Sequence, residues 1–149
     1  MTSFTHLPDP DLDPQFYDGV AVKRLLAWVI DLLLVAGLVL AAVVASLGLL
    51  AFVFPMLSFA LNLAYRIWAI NNWSATLGMR ALGIELRNMR GDKLSTGEAA
   101  AHSVIFVIAF MSIIGGLVNI VMILVTDRGQ GLSDMILGTT AINRPESGI

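Results

Sequence analysis

The chain has no cysteine and little charge, and both absences narrow its chemistry. Zero cysteines among 149 residues exclude disulfides, thiolate metal sites and thiol nucleophiles. Charged residues make up 13% of the chain, about half of the roughly 25% usual in soluble domains. Histidine occurs twice, as His6 and His102, so no HExxH or other paired-histidine metal spacing is present. The thirteen glycines are scattered, and no G-x-x-x-x-G-K-[ST] phosphate loop occurs. The serines have no second histidine beside a plausible acid, so no nucleophilic triad can be assembled. The net charge is −2 and no basic stripe exists, which argues against nucleic acid as a partner. The expectation is a protein without catalytic residues, metal or cofactor, and not an enzyme.

What the chain has instead is apolar length. Hydrophobic residues reach 57% and mean hydropathy is +0.81, values that belong with integral membrane proteins. The first partner is then the lipid bilayer, and the further candidates are a second copy or another membrane protein. Residues 1–19 carry Asp9, Asp11, Asp13 and Asp18 among Pro8, Pro10 and Pro14; this composition predicts a disordered acidic tail. It has neither the positive start nor the short apolar core of a secretory signal. A membrane domain is expected over 20–143, and a second tail over 144–149.

Three apolar segments are expected. The first runs from about Val22 to Ser46 and the second from about Leu49 to Ile70. Each is near the roughly 20 residues that cross a bilayer, and the turn at Ser46-Leu47-Gly48 makes them an antiparallel hairpin. Pro55 should bend the second helix or loosen its first turn. Gly37, Ala41 and Ala45, four apart, fit either a close helix contact or ordinary filler. Trp68 and Trp73 read as headgroup-level anchors. Within the link that follows, Ile84 and Leu86 alternate with Glu85 and Arg87 as in a strand, and Arg90-Gly91-Asp92 suggests a small hairpin. Ser95 and Glu98 then form a capping-box signature at the start of the third segment, about Ala99 to Val125. Gly115-Gly116 marks a kink or a break in it. The fold class is therefore an all-α membrane protein with three apolar segments, the third kinked or re-entrant, and a short β-like cytoplasmic link.

The positive charges flank the hairpin's open end. Lys23 and Arg24 precede it, Arg66, Arg80, Arg87, Arg90 and Lys93 lie at or beyond its far end, and its tip carries none. This distribution places the N-terminus in the cytoplasm of a multi-pass protein. The length of the third segment favours three crossings. If it folds back, Thr139–Asn143 returns to the side of Gly83–Arg87 and can pair with it.

One residue departs from the apolar pattern. Asp31 lies inside the otherwise uncharged run 29–45, where a carboxylate costs roughly 2.5–3.5 kcal/mol on insertion scales. Arg24, seven residues earlier, shares its helix face but sits about 10 Å away along the axis, too far for a direct pair. Candidate partners are Asn62, Arg66, His102 and Asn119 within the apolar segments, with Arg80 beyond them. Asp134, in the stretch Leu132–Leu137, is either a cap or a counter-ion for an arginine. Together these residues suit either a proton- or cation-handling carboxylate or a polar clasp that fixes helix packing.

With those residues named, the chain resembles the RDD family of small bacterial membrane proteins, known for one arginine and two aspartates. The resemblance rests on Lys23-Arg24-Leu-Leu-Ala-Trp-Val-Ile-Asp31, Tyr65, Ala75-Thr76-Leu-Gly78-Met-Arg80 and Leu132-Ser-Asp134-Met-Ile-Leu-Gly138-Thr139. It implies that Arg24, Asp31 and Asp134 are the characteristic trio. Arg80 takes the basic place after T-x-G, and His102 stands nearest to an arginine common early in the third segment. If that arginine normally neutralises an aspartate, His102 would do so only when protonated. The resemblance further implies a bacterial inner-membrane location and a role linked to transport, without supplying a substrate. The acid at bilayer depth motivates the leading reading, a transport-related module in which Asp31 binds a proton or small cation. The alternative is a non-transporting assembly or binding subunit in which the trio is structural.

Overall fold

The computed structural model describes residues 6–145; of the two expected tails, 1–5 and 146–149 lie outside the described residues. Among the described residues, six α-helices and two strands follow one another: α1 (Val20–Ala45), α2 (Phe54–Trp73), α3 (Leu77–Ala81), β1 (Ile84–Arg87), α4 (Thr96–Phe110), α5 (Ile113–Val125), α6 (Leu132–Leu137) and β2 (Thr140–Asn143). Two helices are long and apolar enough to cross a membrane, or three spans exist if the bent pair α4–α5 counts as one.

Helix α1 has one buried face, formed by Val20, Arg24, Ala27, Asp31, Val35 and Val39. This is the three-and-four spacing of a helical stripe. Its apolar end packs with Tyr65 and Ala69 of α2. Gly37, Ala41 and Ala45 are exposed, so the hairpin closes on valines and not on the small residues; branched side chains fill the space between the helices. Leu49–Val53 forms a 3-10 turn and Pro55 lies in the first turn of α2, where its missing N–H has no helical acceptor to lose. The proline is thus accommodated at the start of α2, which continues unbroken to Trp73.

The third apolar segment breaks. α4 and α5 meet at 119°, and at 15 and 13 residues each is about 20 Å long, short of the roughly 30 Å hydrocarbon core. The break falls at Met111-Ser112, ahead of the glycine pair expected to make it. Ser112 caps α5 by accepting from the Gly115 N–H at 2.9 Å. A Cβ at Gly115 would strike the Ala109 carbonyl. The glycine pair therefore serves the tight return of α5 past the end of α4, while the serine starts the new helix.

Because the chain returns, β2 meets β1. They pair antiparallel, with Ile84 opposite Asn143 and Arg87 opposite Thr140. The local hairpin expected across Arg90-Gly91-Asp92 does not form. Instead Asn88 Oδ1 accepts the N–H groups of Arg90 and Asp92, both at 3.0 Å, and closes a loop that hands the chain to α4. That helix begins with the expected capping box of Ser95 and Glu98. Residues before α1 lie against this end of the molecule: the His6 N–H donates to the Met89 carbonyl and Asn143 Nδ2 donates to the Gln15 and Asp18 carbonyls.

α3 is inserted against α1 through the smallest possible contact. A Cβ on Gly78 would collide with the Ala27 carbonyl, so only glycine permits this approach. Gly78→Ala is expected to destabilise the fold by about 1–3 kcal/mol, the usual cost of overpacking. Denaturant unfolding of the purified protein in detergent measures this, and an unchanged midpoint would contradict the packing described.

Candidate functional site

The polar residues of the α1 face divide into two layers. The outer layer centres on Asp134, which is fully buried. Arg24 Nη2 contacts its Oδ2 at 2.6 Å, and the Gly131 N–H donates to the same oxygen at 2.9 Å. Its Oδ1 receives Thr139 Oγ1 at 2.8 Å and lies 3.0 Å from His102 Nε2. The second Arg24 amino group, Nη1, donates to the Gly129 carbonyl at 3.1 Å. Ser133 Oγ lies 3.1 Å from His102 Nε2. Helices α1, α4 and α6 and the loop before α6 are thereby tied at one point.

Burial by itself would raise the Asp134 carboxyl above its ordinary range. The Arg24 guanidinium beside it, with the hydrogen bonds from His102 and Gly131, outweighs that penalty and holds it well below the usual carboxylate range. A depressed carboxylate contributes stability that is complete above the unfolded value, about 3.9, and is lost as pH falls.

The inner layer centres on Asp31, which contacts neither Arg24 nor Asp134. Its Oδ1 accepts from Tyr65 Oη at 2.6 Å and from the Gly78 N–H at 2.9 Å. Tyr65 Oη in turn accepts from the Leu77 N–H at 2.9 Å. Thr76 Oγ1 caps α3 by accepting from the Met79 N–H at 3.2 Å. The first turn of α3 thus directs its otherwise unpaired N–H groups at Asp31 and at the hydroxyl bound to it. The depth of Asp31 is matched by donors brought from α2 and α3.

The other candidate partners are distributed. Arg66 is 3% exposed, with its guanidinium 3.6 Å from the Phe106 ring centroid. Asn119 is buried, and its Oδ1 accepts from the Leu132 N–H at 2.8 Å. Arg80 is exposed and stacks over Trp73 at 4.4 Å, away from both layers. Asn62 is half-buried on a groove between α1 and α2. Tyr65 and Gly78 belong to the family pattern, yet their role as Asp31 partners is missed by sequence reasoning. The available signal is the T-x-G triplet, since a glycine soon after a cap suits close backbone approach. Among the described residues, no group of three or more His, Cys, Asp or Glu side chains is arranged to hold a metal.

A small helical membrane-type module with a buried arginine–aspartate–histidine cluster is what this fold and site define. The family model of the RDD family matches residues 19–138, and the chain belongs to that family. No curated protein and no solved structure matches it.

Asp134→Asn leaves Arg24 buried without its counter-charge, which typically costs about 3–5 kcal/mol. The variant should show a large drop in thermal midpoint at neutral pH. In the wild type, the share of stability due to Asp134 should hold down to about pH 4 and decline below it. A melting series across that range compares the two, and their difference should shrink only at the acid end.

Proposed function

We propose that this protein is a non-transporting assembly or binding module of the bacterial inner membrane, in which Arg24, Asp31 and Asp134 hold the fold together. The observation that carries this reading is the direct 2.6 Å contact of Arg24 with Asp134, both nearly inaccessible. The residues implied to carry transport are the ones whose contacts close helices onto each other. Asp31 also has its Oδ1 engaged by two donors. The cavity that reaches it is about 20 Å³, room for roughly one water molecule and too little for a hydrated cation. A second observation supports assembly. A groove of about 410 Å³ lies on the hairpin, lined by α1, α2 and the turn between them, with Val35, Val39 and Phe54 among its walls. In a bilayer it is filled by lipid or by another helix.

The same reading places two crossings in the membrane, α1 and α2, with α4–α5 as a re-entrant pair. This departs from the three crossings that segment length favours. Pairing of β1 with β2, and the 2.6 Å hydrogen bond from Lys23 Nζ to Asn143 Oδ1, support one shared side for the start of α1, the central link and β2. Lys23, Arg24, Arg80, Arg87, Arg90, Lys93, Arg128 and Arg144 all belong to that end, which the positive-inside rule makes cytoplasmic.

Proteoliposomes holding the purified protein test the proposal. Under imposed proton or sodium gradients, flux should equal that of empty vesicles, while Asp31→Asn lowers the yield of folded protein. Flux above background that disappears in Asp31→Asn would establish the transport reading instead.

A further inference from the structure

Between the two layers lies the small cavity that reaches Asp31. Arg24, Asp31, Arg66 and Asn119 contribute its polar walls, and Trp28, Met79 and Phe106 are among its apolar ones. Three buried nitrogens on those walls have no hydrogen-bond partner among the described residues: Arg66 Nε, Arg66 Nη2 and Asn119 Nδ2. Leaving such donors unsatisfied costs about 1–3 kcal/mol each, and more for a charged group. Asp31 takes both of its hydrogen bonds on Oδ1, so Oδ2 is free to accept. Arg66 and Asp31 are not in direct contact, although they share the cavity.

The chemistry of the walls selects the occupant. A bare anion would satisfy the Arg66 and Asn119 donors but would face the Asp31 carboxylate. A bare cation would satisfy Asp31 and face two arginines. A ligand that accepts on one side and donates on the other meets both demands, and at about 20 Å³ the space suits one water with two to four polar partners. We propose that this cavity is a binding site for a single structural water, held by Arg66 and Asn119 as donors and Asp31 Oδ2 as acceptor. Through it Arg66 serves as the counter-charge of Asp31. The water supplies the partner that the intramembrane carboxylate lacks in direct contact, and it links α1, α2 and α5. The site stands whether or not the module also transports, because it concerns how Asp31 and Arg66 balance one another.

Two measurements on the full chain in lipid nanodiscs test it. Thermal midpoints are compared for wild type, Asp31→Asn, Arg66→Gln and the double variant. Asp31→Asn retains a carbonyl oxygen as acceptor for Tyr65 and Gly78, so the substitution chiefly removes charge. The double variant should lose less than the sum of the two single losses, since neither charge is then left alone. Should a single variant fail to fold, the double variant is expected to restore a monodisperse protein. Strictly additive losses, or no restoration, would overturn the counter-charge link. Separately, radiolytic hydroxyl footprinting generates radicals from bound water beside Met79. Met79 should be modified several-fold more in wild type than in Asn119→Leu, which replaces the amide donor with an apolar methyl. Equal modification of Met79 in the two proteins would remove the water from the site.

Discussion

The fold depends on one buried ion pair. Arg24 stands near the start of the first long apolar helix, and Asp134 stands more than a hundred residues later in a six-residue helix. Taking both charges out of water costs several kcal/mol per ion, and attraction offsets this only if the remaining hydrogen-bonding capacity is used. Here it is used: Asp134 also receives Gly131, Thr139 and His102, and Arg24 also serves the Gly129 carbonyl. The short α6 has little apolar surface to hold it in place, with Met135 and Ile136 exposed. Its buried residues are Ser133 and Asp134, so polar contacts position it. Once α6 is fixed, β2 follows within three residues and reaches β1, and the sheet closes that end of the molecule.

The second aspartate solves a different problem on the same helix face. Asp31 lies deeper than the ion pair, where a carboxylate must find donors within the protein. α1 presents Ala27 between Arg24 and Asp31, and Gly78 occupies the space which that small residue leaves. The close approach delivers the first turn of α3 to the carboxylate. Tyr65 adds a hydroxyl that donates to Asp31 while accepting from Leu77, so one side chain satisfies groups on both sides. The three helices are therefore joined by hydrogen bonds whose value rises in an apolar surround. In water each bond would compete with solvent and contribute about 1 kcal/mol or less; in the hydrocarbon the alternative to them is an unpaired polar group.

What the sequence discloses follows the range of each interaction. The two long helices, the turn between them and the Ser95–Glu98 cap are legible because they depend on residues within a few positions of one another. The break in the third segment is visible as a tendency, but the glycine pair points a few residues past it. Gly115-Gly116 suggests flexibility, whereas Gly115 is required by its contact with Ala109, a tertiary fact. The strand at 84–87 is legible from alternation, but its nearest partner in sequence is the wrong one. Family likeness supplies Arg24, Asp31 and Asp134 as a set, and spacing alone excludes a direct Arg24–Asp31 pair. Nothing local says that Asp134 joins Arg24 while Asp31 joins Tyr65 and Gly78, because that division is made by where α3 and α6 return to α1.

The division also changes the meaning of His102. If an arginine early in the third segment served to neutralise an aspartate, a histidine there would do so only when protonated. In this chain the charge of Asp134 is met by Arg24, and His102 needs only an Nε2–H to complete the cluster. An imidazole donates that hydrogen bond without carrying a charge. A second arginine at this position would place two cations against one carboxylate in a fully buried site, unless another acid or a ligand joined them. With a neutral imidazole carrying its hydrogen on Nε2, the cluster holds one positive and one negative charge. A neutral histidine here thus keeps the buried site electrically balanced, which fits the proposed clasp.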